Sequence, residues 1–480
     1  MQLLLPILYS AIFIFLICKM KFFEIPAVSR TPLVLLFVLK LVAGSAVWLV
    51  YTYHYPAASD FNNYFSDSKI LVQNLFNGTN LPYSSAWNGN FENVLFSNSR
   101  AVIILNALLQ LFSFGNFYVH SVFFCFFSYV GLIALLKAFL PHFPSKEKRI
   151  LLALFFIPSV LFWGSAALKE SLIIGLAGLL IYVSDFGLRK KYNVKQTVAF
   201  ILLFVILFLM KIYIALALLP VLLVNFIVSR TTEKRLAVKY AIVIVAIGSC
   251  FFLVAKINDD YNVLKIIADK QAKAISEARG GAFLVSDKHF VSVDFYGQDT
   301  ILSMQPDSSY RINHGANYLM WNLENMKDTI FVNNSDNDEV YHLIYGIRPA
   351  NSVLAIRKLK PEWIDFAAYS PVAFVNTLAH PSFFEVRSWL HLMIALENIW
   401  VMIFIVLAVL FFDKNIWQKK TIFFFCLFFV LILYVLIGIT TPAIGAMVRY
   451  RTIAELLLVI MCLLAIDEEK LRKRFSKKQG

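Results

Sequence analysis

Four short stretches carry side chains whose types and spacing suit chemistry on an anionic substrate. Lys169 and Glu170 follow Pro158-Ser-Val-Leu-Phe-Trp163 and stand at the mouth of an apolar run. An unpaired charge there is costly, so the two either pair and fix helix packing or wall a polar, ligand-binding cavity. His380, Glu385 and Arg387 lie within one or two turns of each other, ahead of another apolar run. His380 suits a general base; the alternative is an interfacial ring that is merely hydrogen-bonded. Arg449 and Arg451 open the last apolar run, after Thr441-Pro442 and Gly445. Guanidiniums suit a phosphate because each planar fork makes bidentate contacts. At i and i+2 they diverge on a regular helix, so both reach one ligand only if the helix starts after Arg449. Asp60, in Ser59-Asp-Phe-Asn-Asn-Tyr64, suits a base or a metal ligand; otherwise it is a solvated loop carboxylate. Asp67, close behind it, is expected to be dispensable.

The elements that must position these groups are read from composition. Of 480 residues, 59% are hydrophobic and only 15% charged, and the mean hydropathy is +0.70. Soluble chains carry about a quarter charged residues, so this is a polytopic membrane protein. The net charge of +14 comes largely from Lys and Arg clusters at 146–149, 189–195, 230–239, 414–420 and 472–478, between apolar runs. That is the positive-inside pattern, and it excludes a nucleic-acid footprint. Cys18, Cys125, Cys250, Cys426 and Cys462 all fall in apolar runs, so no disulfide framework is expected.

With the basic clusters placed in the cytoplasm, the apolar runs make an all-α polytopic membrane protein of about eleven transmembrane helices. The N-terminus is then outside and the basic tail inside. Run 101–114 is only about half a bilayer long, and 150–182 and 197–228 are hairpins, the second bending outward at Lys211 and Tyr213. The polar segments 55–100 and 256–387 lie outside. In the latter, 260–278 has helical composition and 283–296 alternates like strands, giving a small α+β extracytoplasmic subdomain. The chain divides into a membrane bundle at 1–256, the subdomain at 257–387, and membrane helices with the tail at 388–480.

On this topology Asp60, Arg100, Lys169, Glu170, Lys211, His380, Glu385, Arg387, Arg449 and Arg451 all stand at the outer end of a span. Lys40 is the exception, and it is expected to snorkel. Cations at the outer face run against the positive-inside bias. An anionic ligand there accounts for them; interhelical salt bridges are the bland alternative. The sequence holds no Gly-rich nucleotide loop, metal-ligand cluster or large cytoplasmic domain.

The pattern resembles bacterial envelope polysaccharide enzymes, namely the O-antigen polymerase (Wzy-type) proteins and the wider GT-C glycosyltransferases. The residues that carry the likeness are Asp60, Pro158-Ser-x-x-x-Trp163 with Lys169-Glu170, Pro381 through Glu385 before Ala395-Leu-Glu397-Asn398, and Gly445-x-x-x-Arg449-Tyr-Arg451. The resemblance implies a bacterial inner-membrane enzyme joining sugars at the outer face from polyprenyl-diphosphate-linked donors. By it, Asp60 matches the first-loop acid, while Arg449 and Arg451 match arginines that hold the diphosphate. Asp60, His380 and Glu385 are then the catalytic candidates. Arg100, Lys169, Glu170, Lys211, Arg387, Arg449 and Arg451 are the substrate-binding ones. No metal site or cofactor is expected, with a divalent cation left open. Partners are the lipid-linked glycan, the bilayer and other polysaccharide-assembly proteins, and no nucleic acid. GT-C first loops often carry paired acids where this chain has Asp60 alone. The alternatives are a transporter or lipid-carrier flippase, or a noncatalytic subunit of an envelope assembly.

Overall fold

A computed structural model describes residues 4–26, 28–53, 60–79, 99–189, 194–231, 234–258, 261–279, 282–287, 289–292, 302–312, 318–322, 329–332, 339–345, 350 and 352–476. Ser59, expected beside Asp60, lies outside them. The chain is mostly helical. In order the helices are α1 (Leu4–Lys19), α2 (Arg30–Tyr53), α3 (Asp60–Asn77), α4 (Arg100–Ser113), α5 (Phe117–Phe139), α6 (Glu147–Phe155), α7 (Pro158–Trp163), α8 (Lys169–Arg189) and α9 (Val194–Met210). They continue with α10 (Ile212–Arg230), α11 (Leu236–Ile257), α12 (Val263–Ala278), α13 (Trp363–Ala379), α14 (Trp389–Leu410), α15 (Lys420–Thr440), α16 (Ile444–Ala465) and α17 (Glu468–Ser476).

Among the described residues, six helical stretches are long and apolar enough to cross a membrane: α2, α5, α10, α11, α14 and Lys414–Thr440, which includes α15. This is a membrane-embedded helical protein. By length and composition the count falls short of eleven for visible reasons. Helices α1 and α9 are apolar but short, the 150–182 hairpin is divided among α6, α7 and α8, and α16 carries Arg449, Arg451 and Glu455 in its midst.

Two compact units divide the chain: 1–247 with 381–433 and 449–480, and 248–380 with 434–448. In the first, α5 and α8 share the most extensive helix–helix contact. A Cβ on Gly178 of α8 would fall on the backbone of Gly131 of α5, the small-residue contact that lets membrane helices touch. Around Phe126 of α5, Phe13 stacks at 4.1 Å and Phe37 meets it edge-on at 5.7 Å.

The hairpin at 150–182 is broken rather than smooth. Pro158 disfavours helix at the residue before it, and Ile157 is extended (φ −77°, ψ 118°) between α6 and α7. The chain leaves helix again at 164–168, and the exposed carbonyls need donors because lipid supplies none. Lys40 of α2 donates to the Gly164 carbonyl at 2.7 Å and to Ser165 Oγ at 3.1 Å. Lys40 is fully buried. The snorkelling expected of it does not occur, because its ammonium is used inside. Gly44, one turn on, leaves room for the Ser165 carbonyl that a Cβ would strike.

The second unit holds a five-stranded antiparallel sheet ordered β6-β5-β2-β1-β7. Its strands are β1 (Ala282–Val285), β2 (His289–Ser292), β5 (Tyr318–Asn322), β6 (Thr329–Val332) and β7 (His342–Tyr345). A separate hairpin pairs β3 (Leu302–Met304) with β4 (Tyr310–Ile312). Helices α12 and α13 share a core with Ile356, Leu359 and Ile439. Buried Gln271 ties it together, accepting from the Leu359 N–H at 2.8 Å and donating to the Ile439 carbonyl at 3.0 Å. The apolar helix α13 and the helix α3 are elements that the sequence reading left inside polar segments. Residues 434–448, read with the C-terminal membrane helices, belong to this unit.

Packing at the break is directly testable. Gly44→Leu overpacks the Ser165 carbonyl, a change that costs about 1–3 kcal/mol. Lys40→Met strands the Gly164 carbonyl at about 1–3 kcal/mol. Both variants are expected to melt earlier in detergent, whereas Gly248→Leu, with nothing near its added side chain, is not. Melting of all three at the wild-type temperature would mean that the break needs neither contact.

Candidate functional site

Four helices start at one place in the first unit. Asp60 opens α3, Ser99 and Arg100 open α4, Lys169 and Glu170 open α8, and Lys211 caps α10. Side chains tie these starts together. Lys169 Nζ donates to Ser99 Oγ at 3.0 Å and lies 5.1 Å from the Tyr64 ring centroid. The Tyr64 hydroxyl is also bonded to Ser99, and burial, followed by the nearby Asp60, pushes the phenol well above its ordinary value. Tyr64 is therefore a protonated hydroxyl at neutral pH.

Arg449, from α16, reaches the middle of this group. Its Nη2 contacts Asp60 Oδ2 at 3.3 Å and Glu170 Oε2 at 3.2 Å, and its guanidinium lies 5.4 Å from the Trp163 ring centroid. Glu170 is almost wholly buried at 2% exposure, Arg449 is 17% exposed and Asp60 50%. The three thus run from the interior to the surface. Lys211 lies 3.6 Å from the centroid of the Tyr450 ring and 5.4 Å from that of Tyr213.

The charges do not cancel. Lys169, Lys211 and Arg449 face Asp60 and Glu170, which leaves one net positive charge, and the helix N-termini add the positive ends of their dipoles. At this place three buried polar atoms, Glu170 Oε1, Arg449 Nε and the Tyr213 hydroxyl, have no partner among the described residues. Such atoms are costly to bury unsatisfied, and here they lie in one cluster beside exposed Asp60. The arrangement suits an oxyanion held at the helix starts, next to carboxylates able to accept a proton.

Of the residues expected here, Asp60, Lys169, Glu170, Lys211 and Arg449 come together, and Arg100 stands beside Ser99 at the start of α4. The others go elsewhere. Helix α16 begins at Ile444, ahead of Arg449, so Arg451 points about 200° away around a regular helix. It is fully buried, donating from Nε to Glu455 Oε2 at 3.0 Å and from Nη2 to Asn398 Oδ1. That corrects its pairing with Arg449 on one diphosphate. Glu385 accepts from the N–H and hydroxyl of Ser382 at 2.7 and 2.8 Å and so closes a capping box. Arg387 is exposed near the start of α14, and His380 belongs to the second unit. Asp67, expected to be dispensable, is fully buried within α3.

Sequence reasoning named Tyr64, Trp163 and Glu397 only as members of motifs, with no site role, and passed over the buried acid Glu455. The signal of the two acids was a carboxyl group inside an apolar run. Among the described residues, no three His, Cys, Asp or Glu side chains group to hold a metal ion. Comparison with family models, with curated proteins and with solved structures finds no match.

The two arginines are expected to behave differently. Arg451→Ala strands Glu455 inside the bundle, costing about 3–5 kcal/mol, and should deplete folded protein. Arg449→Lys keeps the charge but loses the fork, so it should leave protein levels intact and weaken inorganic diphosphate binding about tenfold, as the loss of one charge-assisted hydrogen bond does. Thermophoresis against diphosphate, normalised to folded protein, separates the cases. Equal affinity in Arg449→Lys and wild type would make Arg449 a packing contact.

Proposed function

We propose that the chain is a membrane glycan polymerase or glycosyltransferase that uses a polyprenyl-diphosphate-linked sugar. One observation carries the reading: four helix starts and three cations surround two carboxylates, with unpartnered polar atoms of Glu170, Arg449 and Tyr213 among them. On this reading Arg449, Lys169 and Lys211 hold the diphosphate, with Arg100 at the rim. Asp60, the most exposed carboxylate, takes the proton of an acceptor hydroxyl. That oxygen attacks the anomeric carbon, the bond from this carbon to the diphosphate oxygen breaks, and the cations stabilise the charge developing there. Glu170 orients Arg449. Tyr64 and Trp163, both buried, exclude water from the cations that lie against them. No cytoplasmic nucleotide-binding domain is needed, since the donor arrives in the bilayer.

The reading includes a topology: a bacterial inner membrane, about eleven spans, an outside N-terminus, a cytoplasmic tail, and the second unit's sheet outside, available to other assembly proteins. A flippase for the lipid carrier is the second reading. It is favoured by the charged Arg451–Glu455 pair buried within α16, since transporters carry such groups deep in the bundle.

Two measurements test the proposal. In cells, a membrane-impermeant thiol reagent should reach cysteines placed at Asn63 and Asp307 but not at Lys148; labelling at Lys148 would invert the topology. In membranes supplied with lipid-linked donor, Asp60→Asn should cut glycan output by roughly 10²–10⁴-fold, the range for losing a general base, with Asn63→Ala near wild type. Full output from Asp60→Asn removes the base. Carrier translocation without new glycosidic bonds would replace the transferase with the flippase.

A further inference from the structure

A second place in the first unit has the makings of a ligand site, and it does not depend on the glycosyl-transfer reading. Beside the break at Pro158 lies a recess of about 270 Å³, lined by Leu152, Phe156, Ile157, Pro158, Trp400, Val401, Phe404 and Val459 around a single carboxyl, Glu397. Glu397 is only 2% exposed. Its Oε2 accepts from the Ser159 N–H at 2.6 Å, while its Oε1 has no partner among the described residues. Leu152, Phe156 and Trp400 are about half exposed on a helical bundle whose outer surface is lipid, so the recess opens sideways into the bilayer. Glu397 is eight residues into the membrane-spanning α14, about 12 Å along its axis, well below a headgroup layer.

We infer that this recess binds a lipid-soluble alcohol whose hydroxyl donates to Glu397 Oε1. The walls decide the body of the ligand, because an aliphatic and aromatic cavity of about 150 Å³ takes benzene and stays dry, so this one holds roughly ten carbon atoms. Water is a poor occupant, since a buried water needs two to four polar partners and the lining offers one carboxyl. A metal cation is worse still, as hard cations need about six oxygens. An ammonium brings three donors to one free acceptor and leaves two unsatisfied. A hydroxyl brings one donor and matches. The alcohol is isoprenoid or alkyl in body; the recess specifies its polarity and size.

The test uses the full chain in phosphatidylcholine nanodiscs, photolysed with a diazirine-bearing decanol or with the same diazirine on decane. Peptide mass spectrometry locates the adducts. The alcohol is expected to label 152–158 or 397–404 about tenfold above the alkane, the ratio that about 1.4 kcal/mol from one hydrogen bond confers. Unlabelled decanol should compete and decylamine should not. Val401→Trp, which fills the recess and leaves Glu397 in place, should abolish the label. Equal labelling by alcohol and alkane in the wild type overturns the inference without any variant, as does stronger competition by the amine or a label that survives Val401→Trp.

Discussion

The helix restart that brings Lys169 and Glu170 to the candidate site leans on one ammonium. Lys40 supplies the donor that the carbonyl of Gly164 would otherwise find only in water, and it does so from the interior of a membrane helix. Without that donor, the Gly164 carbonyl would stand unsatisfied in an apolar surround, at about 1–3 kcal/mol. With it, the chain leaves helix at Gly164 and restarts at Lys169. The restart presents Lys169 and Glu170 at the first turn of a new helix instead of burying them along an old one. A buried lysine in an apolar run is thus a structural component of the break, and Gly44 is its steric counterpart.

The break sits between two polar centres that share the same helices. Helix α7 offers Ser159 to Glu397 at its start and Trp163 to Arg449 at its end. Helix α16 sends Arg449 to one centre and Arg451 to the other. Because two residues of a helix point in nearly opposite directions, α16 partitions its cations: one is wholly enclosed with Glu455, the other is left with access to the surface. The enclosed pair is a fixed contact. The accessible one, opposed by a half-exposed Asp60, has freedom to exchange partners.

Much of this was legible in the sequence, and the reasons are physical. Lys211 at the bend between α9 and α10, and Lys169-Glu170 at the start of α8, were found because charges interrupt hydropathy where spans turn. That Asp60, Lys169, Glu170, Lys211 and Arg449 share one neighbourhood follows from placing all of them at the same end of their spans. Other features were hidden. Helix α3 has mixed polarity, with Asp67 and Ser68 buried and Leu75 and Phe76 exposed, so it reads as loop. Arg451 and Lys40 were misjudged because spacing says how far along a helix a charge lies, not which neighbouring helix faces it. The Glu385 cap was a local hydrogen bond within four residues, indistinguishable by type from a catalytic acid.

The central ion pair also imposes an order of events in biosynthesis. Glu170 and Arg449 are separated by 279 residues, and translation adds about 5–20 residues per second. Glu170 therefore leaves the ribosome roughly 14–56 s before its guanidinium partner exists. Over that interval the nascent bundle must keep the carboxylate at an aqueous boundary or against Lys169, its neighbour in the chain. The last long helix to be made is the one that brings the guanidinium, so until α16 is in place Glu170 has only the ammonium groups of Lys169 and Lys211 to face.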